Sequence, residues 1–278
     1  MSNREQLVEY EKKVSPLSDR EIGEADQRSS PSAKVVHEAI RLEGTEELER
    51  PPSSVAWSGL AAGLTMGTSM LAQGLLLAHL PDTPWRPLVA AFGYGAGFVF
   101  VTMGRQQLFT ETTLTVMLPV LHGTHKAGEV ARYWSIVFAA NIIGTLLFAA
   151  AATIPRLFQP DTVHAFTGLG LKAVEPGFLA VLLKGVVAGW LIALMVWLMP
   201  AAASARILVI VAITWLIGAA ELSHVIAGAL EAGFAAMTGA IGWSDYLAGF
   251  LLPALIGNSI GGVVFVALLN HAQVKEEI

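Results

Sequence analysis

Cysteine is absent from the chain, and charged side chains are scarce, at 14% of the 278 residues. Without cysteine there is neither a disulfide framework nor a thiolate metal site, and thiol usage says nothing about the redox compartment. Apolar residues make up 54% of the chain, and most charges lie in the first 55 positions, in short joints and at the last residues. We therefore predict a protein that faces lipid over most of its length and carries no cofactor and no metal.

Six apolar segments are long enough to cross a bilayer, whose core takes roughly 20 helical residues. Because unsatisfied backbone groups are costly in hydrocarbon and no barrel-like alternation occurs, the fold class is all-α, a polytopic membrane protein. We divide the chain into an N-terminal extension at 1–54, a transmembrane domain at 55–271 and a tail at 272–278. The predicted spans are residues 56–80, 88–120, 131–154, 177–200, 205–238 and 247–270.

Lysine and arginine are unevenly distributed over the two sides of the predicted bundle. Twelve lie at the termini and in the second and fourth joints, whereas the opposite side has Arg86, Arg156 and Lys172. The positive-inside rule therefore predicts a multi-pass protein of the cell inner membrane with both termini in the cytoplasm. The acidic N-terminus lacks a charged-then-apolar leader, so we expect the first span to act as the insertion signal.

The N-terminal extension contains eight basic and twelve acidic residues within positions 1–55, a composition typical of a solvated tail. One stretch from Ser32 onward departs from this composition. Its apolar side chains recur near one helical face, while the charged ones lie on the other, so it is either part of the tail or a short amphipathic helix docked beneath the bundle. The residues of the apolar face are Val35, Val36, Ala39, Ile40 and Leu42.

Two of the predicted spans are interrupted by polar residues. The second span is broken at 104–113 and the fifth at 218–224, and each is the middle span of a three-span half. The third span of each half carries an asparagine with a glycine three residues later, at Asn141/Gly144 and Asn258/Gly261. Broken helices at corresponding positions indicate two inverted repeats around a transport pathway, because unwound backbone is tolerated at membrane depth only in protein or against a cavity.

Two basic side chains inside the spans, outside the first break, are candidates for the pathway. His224 lies in the second break, where it is either a neutral imidazole bonded between helices or a proton donor in a pore. Lys184 lies near one end of the fourth span, where its amine either reaches the interface or faces the bundle interior and attracts anions. Gly185 and Gly189 favour the interior because they indicate close helix contact on a neighbouring face.

The first break contains hydroxyl and bulky apolar side chains side by side. Thr110 either caps the second half of the broken helix or contacts a passing anion, and both roles are compatible. Thr112 and Thr113 are further hydroxyl donors, and Leu108 and Phe109 are large enough to form an apolar constriction.

The remaining charges near the breaks are Arg105, Glu111 and Glu221. Ordinary salt bridges explain all three, and we expect an Arg105–Glu111 pair to hold the first break closed. The glycines at 93–97 and Gly59, Gly63 and Gly67 are interpreted as helix-packing surfaces, since no strand precedes them as a phosphate loop would require.

Four motifs together resemble the formate/nitrite transporter family. They are 108–110 (Leu-Phe-Thr), the run from Lys184 to 191, Ser223 to Ala227, and the string from Gly257 through Asn258 and Gly261 to Gly262. The match extends over 55–271, and the string at 105–111 with the long N-terminal extension is similar to the YfdC-type branch of the family.

The resemblance implies an aquaporin-like homopentamer with one pore per protomer, a small anion or weak acid as substrate, and no nucleic-acid partner. It further implies that His224 is the central histidine, Thr110 the loop threonine, Leu108 the cytoplasmic constriction and Lys184 the vestibule lysine. By spacing, Phe98, Tyr94 and Ile217 match other constriction positions.

This chain also departs from the family pattern in ways that bear on the mechanism. The family has Glu before the histidine and Asn five residues after the lysine, where this chain has Ser223 and Gly189. Both replacements remove hydrogen-bonding partners from a proton relay through Lys184 and His224. Glu111 repels anions if it is ionised, so an anion path requires it to be paired, protonated or turned away.

We expect Lys184 to attract the anion and His224 to deliver the proton that makes a neutral, permeant acid, since a bare carboxylate crosses an apolar constriction only at high cost. A neutral-solute channel of the aquaporin type is disfavoured, because its paired Asn-Pro-Ala signature is missing. A membrane enzyme is disfavoured too, since no metal-binding His or Glu cluster lies in the spans. A structural or regulatory membrane protein stays open as an alternative.

Overall fold

The computed structural model describes residues 17–18, 20–21 and 29–275, in two units at Met1–Ser32 and Ala33–Ile278. Within the first unit, the Ser18 hydroxyl donates a 2.6 Å hydrogen bond to the Glu21 carboxylate. The predicted solvated tail otherwise lies mostly outside the described residues.

Helices are the regular elements throughout the described part of the second unit, as the predicted all-α class requires. The first half of the unit contains α1 (Ala33–Glu49), α2 (Pro52–Thr65), α3 (Gly67–His79), α4 (Arg86–Met103), α5 (Phe109–Thr115), α6 (Met117–Leu121) and α7 (Ala127–Ala152). The second half contains α8 (Pro160–Val174), α9 (Phe178–Ala202), a 3-10 turn (Ala203–Ala205), α10 (Arg206–Ala219) and α11 (Val225–Met237). The last helical run consists, in chain order, of a π-helical segment (Asp245–Leu251), α12 (Leu252–Gly262), a second π-helical segment (Val263–Leu268) and α13 (Leu269–Lys275).

Five helical runs in the described part are long and apolar enough to cross a membrane, with Phe178–Ala219 counted as one run of 42 residues. Two apolar helices, Phe109–Leu121 and Val225–Met237, are too short to cross, and we call them the first and second half-helices. Each continues a longer helix after a break, as the polar interruptions predicted. The count of six crossings and the inversion of the halves stay predictions.

The helix α8 is an element that the sequence analysis missed, because residues 155–176 were interpreted as a joint between spans. Pro160 starts it and Asp161 lies in its first turn, both typical of a helix N-terminus. Its buried side chains, Phe166 and Leu169 among them, pack with α3 and α11. It therefore covers one end of the bundle.

Small residues bring the long helices into backbone contact, as predicted from the glycine pattern. An added Cβ at Gly63 would collide with the carbonyl oxygen of Asn141, and one at Gly144 would collide with the backbone of α2. In the second half, Gly189 and Gly261 make the corresponding contacts between α9 and α12. These four positions require glycine because the backbones approach too closely for a side chain.

The stretch from Ser32 onward forms α1, which lies against the bundle through part of the predicted face. Val35 and Leu42 are 57% and 50% exposed, whereas Val36, Ile40 and Gly44 are buried. The buried residues recur every four positions, close to the period of an α-helix. The predicted apolar face was broader than the face that packs against the bundle. The α1 helix is also joined to α13 by a 3.2 Å contact between His37 Nε2 and His271 Nδ1.

A carboxyl group, Glu47, lies in the interface between α1 and the first half-helix. Thr115 donates a 2.9 Å hydrogen bond to its Oε2. Removal from water raises the pKa of the Glu47 carboxyl from 4.5 to about 7, with a smaller contribution from Glu43. The docked helix therefore binds the proton more tightly than the undocked helix does.

We expect docking of α1 to depend on pH through Glu47. Because the docked pKa lies above the undocked value, docking is most stable below about pH 4.5 and loses stability as the pH rises to about 7. Amide hydrogen exchange over residues 33–49, corrected for intrinsic rates, should accelerate on the order of tenfold between these limits. The change should vanish in Glu47→Gln and persist in the exposed control Glu49→Gln; an unchanged pH response in Glu47→Gln would contradict the assignment.

Candidate pore site

The first break lies between α4 and the first half-helix and is held open by one side chain from α7. Arg105 adopts a left-handed conformation with a φ of 51°, which turns the chain out of the helix. The Asn141 Nδ2 donates to the carbonyl oxygens of Gly59 (2.7 Å) and Gln107 (2.9 Å). The Phe109 N–H, the first of the half-helix, donates to Asn141 Oδ1 at 2.9 Å. One carboxamide thus satisfies three buried backbone groups.

The second break repeats this arrangement with Asn258. Glu221 has a φ of 50°, and the Val225 N–H donates to Asn258 Oδ1 at 2.8 Å. The Asn258 Nδ2 donates to the carbonyl oxygens of Gly185 and Ser223, both at 2.8 Å. The two halves therefore share the same backbone geometry around their breaks.

These contacts revise two expectations about the breaks. Asn141 and Asn258 were assigned to helix packing, but their side chains anchor the unwound segments. The expected Arg105–Glu111 pair is wrong, since Arg105 Nη2 lies 3.1 Å from Glu43 Oε1 and Glu111 Oε1 accepts a 2.7 Å bond from the Thr102 hydroxyl. The left-handed turn at Arg105 directs its guanidinium towards α1, where sequence spacing gave no indication of a partner.

At the centre of the bundle the two half-helices meet through a hydrogen bond. His224 Nε2 lies 2.7 Å from the hydroxyl of Thr110, and both side chains are buried. His224 Nδ1 accepts a 3.2 Å bond from the Ala227 N–H, so the imidazole caps the second half-helix. Because Nδ1 accepts this hydrogen bond, the proton of the neutral ring lies on Nε2, and Nε2 donates it to the hydroxyl oxygen of Thr110 as a hydrogen bond.

Thr110 does not cap the first half-helix, and its contact with an anion stays a prediction. The first half-helix begins at Phe109, and its first N–H is satisfied by Asn141 instead. Because the Thr110 oxygen accepts from His224, its own hydroxyl hydrogen is free to point elsewhere. Thr112 and Thr113 bond back to the carbonyls of Phe109 and Thr110 at 2.7 Å each, so their hydroxyl hydrogens are used within the helix.

Apolar side chains enclose the central pair. Phe98 and Leu108 are fully buried, and the Phe98 ring meets the imidazole of His224 edge-on, with centroids 4.8 Å apart. Tyr94 and Ile217, also predicted constriction positions, are buried next to this layer on the α8 side. Phe109 differs, because its ring packs against Trp134 and Phe138 of α7 and fills the space between helices.

A cavity lies on each side of this layer. The cavity on the α8 side, which we call the His224 cavity, has a volume of about 440 Å³ and is lined by Tyr94, Ile217, Ser223 and His224, among others. The cavity on the α1 side, the Glu111 cavity, has a volume of about 640 Å³ and is lined by Glu111, Thr112 and Gln107, and by residues of α1. Among the described residues none lines both cavities, and Phe98, Leu108 and Thr110 line neither. We call these three residues the wall: Phe98 and Thr110 contact His224, which lines the His224 cavity, and Leu108 follows Gln107, which lines the Glu111 cavity.

Lys184 is half-buried and lies outside the linings of both cavities. Lys184 directly precedes Gly185, and Ser58 holds the corresponding position directly before Gly59 in the first half. The Ser58 hydroxyl accepts a 3.1 Å hydrogen bond from the Gln107 N–H of the first break. This correspondence puts the Lys184 backbone beside the second break. The basic side chains that line the His224 cavity are instead Arg86 and Lys172.

A carboxyl group that sequence reasoning missed lines the His224 cavity, at Glu231. It follows His224 by seven residues, which is two turns of one helix face, and this spacing was a usable signal. Glu221, which was predicted as a charge near the second break, accepts a 2.9 Å hydrogen bond from Lys172 Nζ, and both residues line this cavity.

The fold and site together define a membrane channel or transporter, in which two half-membrane helices meet at a buried imidazole between opposed cavities. The family model of the formate/nitrite transporter matches residues 34–272, and the chain belongs to that family. The chain is similar to the inner membrane protein YfdC of Escherichia coli K12, with 39% identity over 258 residues, 92% of this chain and 83% of that protein. This likeness confirms the resemblance to the YfdC-type branch.

Solved structures support the same fold. The chain superimposes on an FNT family ion channel with a TM-score of 0.75, at 21% identity, over 86% of this chain and 98% of the other. It also matches a pentameric formate channel with formate bound, with a TM-score of 0.69 and 20% identity, over 81% and 98% of the two chains. The all-helical membrane fold expected from the sequence is thereby confirmed.

Replacing either asparagine by alanine is expected to destabilise the protein strongly. Asn141→Ala leaves two buried groups of the break without partners, the Phe109 N–H and the Gln107 carbonyl oxygen, each at a cost of about 1–3 kcal/mol, and Asn258→Ala should have the same effect in the second half. Thermal unfolding in detergent measures both, with Asn270→Ala outside the breaks as the control. A melting temperature within a degree or two of the wild type in either variant would show that the breaks do not depend on these bonds.

Proposed function

We propose that this chain transports small monovalent anions or their conjugate acids across the membrane, as a formate/nitrite-like channel rather than an enzyme. The observation that carries the proposal is the His224–Thr110 hydrogen bond between two half-helices, at the wall between the His224 cavity and the Glu111 cavity. The family membership points to the same class of substrate.

Both half-helices begin at the wall, so their N-termini point towards the centre of the bundle. The positive ends of the two helix dipoles converge there and favour a negative charge or an oxygen-rich solute. The Thr110 hydroxyl hydrogen, left free by the bond from His224, is a donor for such a solute. The site therefore suits a small oxyanion or its acid better than a cation.

Desolvation decides which form of the substrate crosses. Moving a bare anion past Phe98 and Leu108 costs far more than moving a neutral acid, because an apolar wall offers little in exchange for water. Proton uptake on one side and release on the other therefore accompany transport. Attraction of the anion to the His224 cavity is assigned to Arg86 and Lys172, which line it, rather than to Lys184.

The assembly and orientation follow from the family and the charge distribution. The solved formate channel with a similar fold is pentameric, and we propose the same homopentamer with one pore in each protomer. The excess of Lys and Arg at the termini supports an orientation with the α1 side in the cytoplasm of the inner membrane. The Glu111 cavity then opens to the cytoplasm and the His224 cavity to the opposite face.

Flux assays test the central pair. In liposomes containing the purified protein, uptake of formate, nitrite or acetate should fall roughly tenfold or more in His224→Phe and in Thr110→Val, because each loses a donor at the wall. His79→Phe and Thr153→Val, both exposed, serve as matched controls. Unchanged uptake in His224→Phe would rule the histidine out, and flux of glycerol or urea without the acids would indicate a neutral-solute channel instead.

The wall residue Leu108 should limit the size of the solute. Leu108→Ala removes about three carbon atoms from a fully buried position between the cavities, so larger acids such as propionate should pass several times faster than through the wild type. The control is Leu118→Ala, which truncates an equally buried leucine that packs towards α1. Equal size selectivity in the two variants would show that Leu108 is not part of the constriction.

A further inference from the structure

The further inference concerns Glu231, whose carboxyl group lies in the His224 cavity. Glu231 and His224 are separated by two turns of α11, or roughly 10 Å along the helix axis, and both line the same space. The carboxyl is half-buried, and within the described part of the chain no hydrogen bond or ion pair is formed with it. An acid group that lines a solute pathway and has no hydrogen-bonding partner is available to the solute.

The other charged groups around this cavity do not neutralise Glu231. Arg86 of α4 is 3.2 Å from Asp82, and Lys172 of α8 is 2.9 Å from Glu221. The cavity lining also includes Tyr94, Asp161 and His164. The remaining helices packed on α11 contribute little. The first half-helix has Glu111, which lines the other cavity and accepts the Thr102 hydroxyl. The α7 helix has its charges in its first two turns, at Glu129 and Arg132, and α12 has none. His79 and Asp245 are exposed at the ends of their helices.

His224 is poorly placed to exchange a proton with a solute. Its Nδ1 is occupied by the Ala227 N–H and its Nε2 by Thr110, so a second proton requires the helix-capping bond to break. Glu231 needs no such rearrangement. The residue before His224, where the family pattern has a glutamate, is Ser223 in this chain, so the carboxyl of the cavity comes from two turns further along the half-helix.

We infer that Glu231 is the proton-exchange group for the permeating acid. Its protonated carboxyl gives the proton to the anion: the O–H bond of Glu231 breaks with its electron pair left on the carboxylate, and a new O–H bond forms on the substrate. The neutral acid crosses the wall, and Glu231 takes a proton back from water in the cavity. This inference rests on the proposed function and narrows its substrate class.

The substrate class is that of weak acids, such as formic or nitrous acid, whose anions accept a proton from a carboxylic acid. Anions of strong acids, such as nitrate and chloride, remain charged beside Glu231. They are repelled by its carboxylate form and stopped at the apolar wall. The wild type should therefore carry formate and nitrite and exclude nitrate and chloride.

The test uses the full chain in liposomes, with formate uptake and the accompanying internal pH change measured at external pH 5.5, 6.5 and 7.5. Glu231→Gln keeps the shape but cannot exchange a proton, so uptake should fall roughly tenfold or more and lose its pH dependence. Glu231→Asp should keep the pH profile. The matched control Glu175→Gln changes an exposed carboxyl that lines neither cavity, and it should behave as the wild type does.

The outcomes distinguish a failure of the Glu231 inference from a failure of the proposed function. If the wild type carries formate and Glu231→Gln keeps its rate and pH profile, the inference on Glu231 is overturned while the proposed function stands. If the wild type carries none of the acids, both are overturned. Should Glu231→Gln not assemble, mass spectrometry of the wild type treated with a hydrophobic carbodiimide decides: labelling of Glu231 that formate prevents supports the inference, and absence of labelling overturns it.

Discussion

The rest of the structure depends on one interaction, the bonding of a broken backbone by an asparagine side chain. A helix that unwinds inside a bilayer exposes N–H and C=O groups that lipid cannot satisfy, at a cost of several kcal/mol for each group. Asn141 and Asn258 each satisfy two of these groups and also donate to a carbonyl oxygen of a neighbouring helix, so each connects three segments of its half. Glycines at Gly63 and Gly189 let the asparagine-bearing helices approach closely enough for these bonds.

The central pair follows from the position of the breaks. Because each half-helix starts in the middle of the bundle, its first turn presents side chains to the other half-helix, and Thr110 meets His224 there. The Ala227 N–H holds the imidazole in place, and Phe98 and Leu108 exclude water from around it. A polar contact in an apolar wall therefore results from the backbone geometry, and the two cavities are what remains on either side.

The sequence indicated those features that depend on local pattern and failed where distant segments meet. Charged residues inside apolar runs marked both breaks, and the repeated Asn-x-x-Gly marked the related halves. Spacing alone suggested a partner for Arg105 six residues away, but the left-handed turn directs it to Glu43 in α1. The helix α8 was missed because its polar face resembles a joint, and Glu231 because the helix face that carries His224 was not followed for two turns beyond the break.

The matching backbone of the two halves distinguishes the features that both breaks share from the side chains that differ between them. Superposing the breaks pairs Gln107 with Ser223 and Leu108 with His224, so one N-cap is apolar and the other is an imidazole. By the same pairing Glu111 corresponds to Ala227, and Glu231 to Thr115. Glu111 and Glu231 therefore occupy non-equivalent positions and are separate additions rather than a product of the repeated backbone geometry. Unlike groups on a matching backbone give the proposed pathway two chemically different ends.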